Sequence, residues 1–407
     1  MRALCWQYFL IYGIQGALLP YLAVLYRERG FDSNQIGQLF AASSAAVIIS
    51  PVILTALADA AIDPRRIVRV ALTLSIVFLL LMSQAQAFWY TLVLWSAQSL
   101  IILPLLPVLD GLNFAIQQRR REAGLSPAPY HRVRVWGTIG FIIPGLILFG
   151  LMKMGLSTAG VLIGGAVMSL LGMINTWTLP DPRAADDPAQ PAKGRGLPTL
   201  GALRAMTQKH VLGFCAAMFL AHMGMAAMYT FYPLYMTEAL GVGKAWLGPI
   251  MNIGVFVEIF CMLGFGWLSN RLGLRGLVML AMGAAAVRLV LLWVFPNVWV
   301  GVLSQVFHGL TVLAVHVVPA VFLNMHAQEQ YRHSMQGLYA MLIMGVARVS
   351  GSWLSGMVAE VDVVRLMGLA GLMCALATAL LWATFRIPPA PRTEEPPASA
   401  PPVGEAA

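Results

Sequence analysis

Charge is the first thing this sequence is short of. Asp, Glu, Lys and Arg make up 11% of its 407 residues, against about 25% in a soluble globular domain. A surface built from so few charges does not face water, so an ordinary soluble domain is excluded. Apolar residues fill the gap: 59% of the chain is hydrophobic and its mean hydropathy is +0.76. Cysteine is scarce too. Cys5, Cys215, Cys261 and Cys374 each sit inside an apolar run, with no pair at metal-ligand spacing, so they read as small buried hydrophobes and no metal or cofactor is expected. There is no HExxH, no Ser/His/Asp arrangement and no nucleotide loop, which argues against a membrane-embedded enzyme. There is no long polar insertion, which argues against a sensor with an appended soluble domain. The net charge of +9 does not point to nucleic acid, because the basic residues lie in short loops between apolar runs.

What is present is a series of apolar runs of about 20 residues, the length that crosses the hydrocarbon core of a bilayer. They fall at 4–25, 36–58, 66–86, 88–113, 131–152, 157–179, 209–235, 245–269, 274–295, 298–325, 334–358 and 362–386. The first has no short apolar core followed by a small-residue cleavage site, and is expected to be retained as a helix. The fold class is therefore an all-α membrane protein with twelve transmembrane helices in two groups of six. The domain reading is 1–179 for the first bundle, 180–208 for a Pro/Gly/Ala-rich linker, 209–386 for the second bundle and 387–407 for a Pro/Ala-rich tail expected to be disordered.

Loop charge predicts the orientation. With the N-terminus inside, eighteen Lys and Arg fall on the cytoplasmic side, five on the opposite side, and three (Arg134, Arg288, Arg348) within spans, accounting for all 26. Both termini are expected in the cytoplasm, with the chain in a bacterial-type inner membrane as a monomer. A weak repeat links the two groups: "GWLSNRLGLRG" (266–276) follows the eighth span and "ALADAAIDPRR" (56–66) follows the second. A six-plus-six chain with this loop resembles the major facilitator architecture, in which two halves rock around a site near the midplane.

An ionisable side chain at the bilayer centre costs from about 3 to above 10 kcal/mol, so such residues face the interior and pair. The candidates are Asp110, Arg134, Glu258, Arg288 and Arg348, with His308 and His316 in "SQVFHGLTVLAVHVVPAV" (304–321). Asp110 and Arg134, on consecutive spans, are expected to form one charge pair, or else a structural pair at the membrane edge. Glu258 and Arg288 are expected to form a second. An Arg lowers the pKa of a nearby carboxyl while burial raises it, so a moving Arg can couple proton occupancy to conformation. His308 and His316 stand eight residues apart, about 12 Å of rise and about 80° of rotation on a straight helix, which rules out chelation of one metal. Either ring can relay protons or bond a polar solute, or serve as a bridge between helices; His222 is a weaker candidate. Among the midplane aromatics, Trp136 and Tyr229 are candidates to line a site for a ring-shaped ligand.

"PLLPVLD", "YHRVRVWGTIGFI", "GVFVEI", "AVRLVLL" and "SQVFHGLTVLAVH" occur here in an order that resembles the 3-phenylpropionate permease group of the major facilitator superfamily, itself related to the lactose permease and to nucleoside–proton symporters. The resemblance covers nearly all of residues 8–385. It implies that Asp110 and Arg134 contact the solute, beside the aromatic candidates Trp136 and Tyr229, and that Glu258, Arg288, His308 and His316 carry the proton step. Thr311 stands where the lactose permease has a glutamate, which leaves Glu258 as the coupling carboxylate. Pro144–Gly145 reverses the Gly-Pro order of the drug-exporter signature, which favours uptake. The expected activity is proton-coupled import of a small organic solute, with a phenylpropionate-like aromatic acid first and a sugar or nucleoside as the alternative.

Overall fold

The structure, a computed structural model, describes residues 1–59, 62–126, 128–181, 200–326 and 332–385. Most of the expected linker (182–199), residues 60–61 of the 56–66 repeat and all of the expected tail lie outside the described residues.

Hydrocarbon offers no partner for a free N–H or C=O, so each apolar run satisfies its backbone internally as helix. In chain order the helices are α1 (Arg2–Leu18), α2 (Leu22–Glu28), α3 (Ser33–Asp59), α4 (Pro64–Gln84), α5 (Phe88–Ile102), α6 (Leu105–Glu122), α7 (Tyr130–Lys153) and α8 (Gly160–Asn175). After the gap come α9 (Leu200–Met206), α10 (Lys209–Leu234), α11 (Leu247–Val294), α12 (Val298–Leu303), α13 (His308–Val312), α14 (Val318–His326), α15 (Arg332–Leu338), α16 (Val346–Val361) and α17 (Val363–Thr384). The described residues contain no strand.

Several of these helices are pieces of one crossing. α1 and α2 form the first, interrupted beside Pro20, and α5 and α6 the fourth, interrupted at Leu103–Pro104. Proline lacks the N–H that would bond the preceding turn, and its ring clashes there. The fourth crossing runs on to Glu122, beyond the expected end at 113, because a basic last turn suits a helix C-terminus. α11 has 48 residues, about 72 Å of rise against a hydrocarbon core of about 30 Å. Gly273, at φ 67° and ψ 167°, breaks it into two limbs. Among the described residues, ten helical stretches are long and apolar enough to cross a membrane; one of them is this folded α11, and α3 adds another crossing, giving the twelve expected. Asp63, Asn297 and Asp362 start their helices by accepting backbone N–H bonds, which relieves the unpaired first turn. The outside is apolar, with Trp299, Leu263 and Trp382 among the most exposed side chains, as a lipid-facing surface requires. α9, within the expected linker, forms a short helix from good helix formers.

The first six crossings pack among themselves, as do the last six, and the groups meet where α3 runs along α16 and α7 along α11. Small residues set these approaches. A Cβ on Gly16 would overlap the Phe141 backbone, and one on Gly140 the Phe9 backbone, so α1 and α7 lie in backbone contact.

Gly273→Ala should destabilise the protein by about 1–3 kcal/mol, since its dihedrals belong to a region open almost only to glycine. A Cβ there meets nothing within 4 Å, so the loss is one of backbone conformation. Gly283→Ala, in equally open space but in helical conformation, should be neutral or stabilising by up to about 1 kcal/mol. Thermal unfolding in detergent compares the two.

Candidate functional site

A cavity of about 420 Å³ lies between the two groups of crossings. Of the expected site residues, Arg134, Tyr229, Glu258, Arg288, His308 and His316 line it. So do Arg348 and His222, together with Tyr12, Gln15, Ser43, Ser44, Trp95, Thr138, Phe141, Thr230 and Gln305. Charges that are costly in lipid therefore meet around one cavity.

Asp110 and Trp136 do not line it. Trp136 follows Arg134 by two residues, about 200° around the helix, so it turns to the opposite face. There it is 36% exposed and lies against Trp6. Asp110 does not pair with Arg134. It accepts hydrogen bonds from the hydroxyls of Tyr8 (2.5 Å) and Tyr130 (2.9 Å). Arg134 donates to the hydroxyl of Tyr12 and stacks over its ring, 4.2 Å from the centroid. Tyr8 and Tyr12 are one turn apart on α1, so two phenols hold the two charges at different depths. The expected pair fails because each partner is already satisfied.

The expected Glu258–Arg288 pair is replaced as well. Gly254 and Gly309 bring the first limb of α11 against α13: a Cβ on Gly254 would lie 2.8 Å from the His308 Cβ, and one on Gly309 3.0 Å from the Glu258 Cα. That approach sets Glu258 Oε2 at 3.6 Å from His308 Nε2. His308 Nδ1 is 3.2 Å from the Tyr229 hydroxyl. With the proton on Nε2, Tyr229 donates to Nδ1 while Nε2–H faces the carboxylate, giving a short polar chain of Tyr229, His308 and Glu258. Arg288, 1% exposed, sits on the second limb, 5.8 Å from the Tyr232 ring centroid. Its Nε and Nη1 are buried without a hydrogen-bond partner.

The tenth crossing is not the straight helix assumed from the sequence. A 3-10 turn (Ser304–Phe307) precedes α13 and a π turn (Leu313–Val317) follows it. A π turn spends more residues on each revolution, so it removes rotation from the interval between 308 and 316. Gln305, His308, Val312 and His316 all face the cavity as a result. His222 Nε2 is 3.1 Å from the Tyr339 hydroxyl, and its ring centroid lies 6.2 Å from that of His316. Among the described residues, no three His, Cys, Asp or Glu side chains gather closely enough to hold a metal.

Counting crossings from Met1 fixes which ends share a side. Loops after odd crossings lie opposite the N-terminus, and there the two groups are tied together. Arg27 pairs with Glu238 at 2.8 Å and Lys244 with Glu28 at 2.6 Å. The Ser33 N–H donates to Glu360 at 2.7 Å. Deeper in, Asn252 donates to the Ile142 carbonyl at 3.0 Å, and Gly248 lies against the Gly145 backbone. The cavity is closed on that side.

The residues not anticipated from the sequence include Tyr8, Tyr12, Gln15, Tyr130 and Gln305. Polar Gln15 and Gln305 stand inside apolar runs, which was a usable signal. The phenols carried none, since tyrosine is common in membrane helices.

Comparison with known proteins agrees with this fold. The profile of the MFS_1 like family matches residues 1–369. The putative nucleoside transporter YegT of Escherichia coli K12 is 25% identical over 378 residues, 88% of this chain and 84% of that one. The probable 3-phenylpropionic acid transporter of the same organism is 25% identical over 296 residues, 70% of this chain and 72% of that one. A crystal structure of the nucleoside transporter NupG superposes with a TM-score of 0.79 at 20% identity, covering 94% of this chain and 97% of that one.

The charged tie between the groups yields a prediction. Exposed pairs contribute up to about 1 kcal/mol each, so Arg27→Glu, which sets like charges together, should open that side several-fold. Labelling of a cysteine introduced by Phe141→Cys, with a membrane-impermeant maleimide added from the side opposite the termini, should rise accordingly. Adding Glu238→Arg should restore the low rate. Unchanged labelling in the single reversal would remove the closing role.

Proposed function

Because this chain belongs to the MFS_1 like family and is a membrane transporter of the major facilitator type, we propose that it imports a nucleoside together with protons. One observation carries the substrate reading. The cavity sets flat rings (Tyr12, Phe141, Tyr229) beside neutral hydroxyl and amide groups (Gln15, Ser43, Thr230, Gln305). A nucleoside is a flat base joined to a hydroxyl-rich sugar, and it needs both kinds of contact. The relative sharing the larger part of this chain is described as a putative nucleoside transporter, which favours this substrate over the aromatic acid that the sequence put first. In this reading Arg134 and Tyr229 orient the solute, Asp110 fixes Tyr8 and Tyr130 one turn away, and Trp136 takes no part.

Proton coupling is assigned to Glu258 and His308, with Tyr229 at the other ring nitrogen and Arg288 close by. A proton arriving between Glu258 and His308 neutralises the carboxylate or charges the ring. Either event changes the field felt by Arg288, whose guanidinium has few fixed partners. That is the differential interaction needed for one event to bias a conformational equilibrium. The excess of positive loops on the side of Met1 supports cytoplasmic termini and an inner-membrane location, with the closed side facing outward.

A second reading has its own observation. The cavity holds three arginines (Arg134, Arg288, Arg348) and one carboxylate, Glu258, an excess that suits an anionic solute such as an aromatic acid.

Uptake of labelled uridine, adenosine and 3-phenylpropionate into vesicles, with and without an inward proton gradient, separates these. Nucleoside accumulation that at least triples with the gradient is expected. Accumulation of the acid alone would establish the second reading, and indifference to the gradient would remove symport. Glu258→Gln should lower gradient-driven uptake by at least tenfold while solute exchange continues.

A further inference from the structure

Behind His316 lies a second cavity of about 190 Å³, lined by His316, Pro319, Ala320, Leu323, Gln336 and Tyr339 among others. Among the described residues, His316 is the one that lines both this cavity and the central one. It is an exposed residue in the middle of a membrane crossing, and it borders these two spaces. The crossing runs from Val298, on the side opposite Met1, to His326, on the side of Met1. Residues 319–323 therefore lie closer to the Met1 side than His316 does, and the second cavity continues from the central one in that direction.

Two π turns meet here. One (Leu313–Val317) contains His316, and the other (Tyr339–Gly345) begins with Tyr339. Such turns cost regular hydrogen bonding and recur at working sites. His222 joins them, with Nε2 at 3.1 Å from the Tyr339 hydroxyl and its ring edge-on to His316. The titratable and charged groups facing His316 are His222 from α10, Glu258 from α11, His308 from α13 and Arg348 from α16. Tyr339 lies across the second cavity.

We propose that His316 is the exit for the coupled proton, passing it from the central cavity into the second cavity and on toward the side that carries the termini. This rests on the symport reading above. Solute and proton then leave the central site by different routes: the solute through the gap between the two groups of crossings, the proton between α14 and the segment that begins at Tyr339. Imidazole suits the position because it accepts a proton at one nitrogen and releases one from the other. A cavity with Gln336 and Tyr339 on its wall can hold the water that takes the proton next. The step is a proton transfer alone, with no bond to the solute formed or broken.

Filling the second cavity tests this without touching the central one. Ala320→Phe should keep nucleoside exchange within twofold of wild type and lower gradient-driven uptake by at least fivefold. His316→Asn and Tyr339→Phe should each lower gradient-driven uptake by at least threefold, and Tyr339→Phe keeps the ring, so it tests the hydroxyl if Ala320→Phe does not fold. Proton entry is read in parallel with a pH-sensitive dye inside the vesicles. Wild-type accumulation in His316→Asn and Tyr339→Phe, or in a folded Ala320→Phe, overturns the proposal. Equal loss of exchange and gradient-driven uptake in all three also overturns it, because these residues would then act on the solute. A wild-type protein indifferent to the gradient removes the symport reading itself, a result distinct from either.

Discussion

A charge in hydrocarbon must reach water or an opposite charge, and that requirement organises this molecule. Arg134, Glu258, Arg288, Arg348 and three histidines all begin in apolar runs, and all end on one cavity. The alternative, exposure to lipid, carries a penalty of several kcal/mol for each. Packing follows from it. Helices bearing charges are drawn to a common interior, and the opposite faces are left to tryptophan, leucine and phenylalanine against lipid. Trp136 and Arg134, two residues apart on α7, divide in this way.

Glycine makes the convergence geometrically possible. Backbone contact between α1 and α7, and between the first limb of α11 and α13, brings polar side chains within reach that bulkier interfaces would hold apart. His308 meets Glu258 because Gly254 and Gly309 let the two helices touch. The same device closes the cavity at Gly145 and Gly248, where a glycine-to-glycine contact leaves little to undo when the groups separate. Exposed ion pairs around that contact are individually weak, which suits a closure that must open in every cycle. A large buried apolar interface there would hold one state too firmly.

Irregular winding does the remaining work. The tenth crossing passes through 3-10, α and π geometry within fourteen residues, Ser304–Val317. The eleventh opens with a π turn after α15. These departures aim Gln305, His308 and His316 at the cavity and place Tyr339 beside His222. In a membrane such irregularity is tolerated where it is buried in protein or lines a polar space.

The sequence alone determined the architecture. Twelve apolar runs of bilayer length, a polar break at midpoint and prolines at Pro20 and Pro104 leave few other folds, because lipid enforces helix wherever a run is long enough. It also identified most of the charges in the cavity, since their cost in lipid requires them to be inside. It could not assign partners. Consecutive spans suggested Asp110 with Arg134 and Glu258 with Arg288, but pairing depends on depth, rotation and backbone approach. Tyrosines silent in the sequence took up both charges of the first pair, and His308 took Glu258 from the second. The rotation of span ten was likewise out of reach, because a π turn arises from tertiary packing and leaves no mark in hydrophobic periodicity. Spacing told which residues had to be hidden; only the packed helices decided what each one touches.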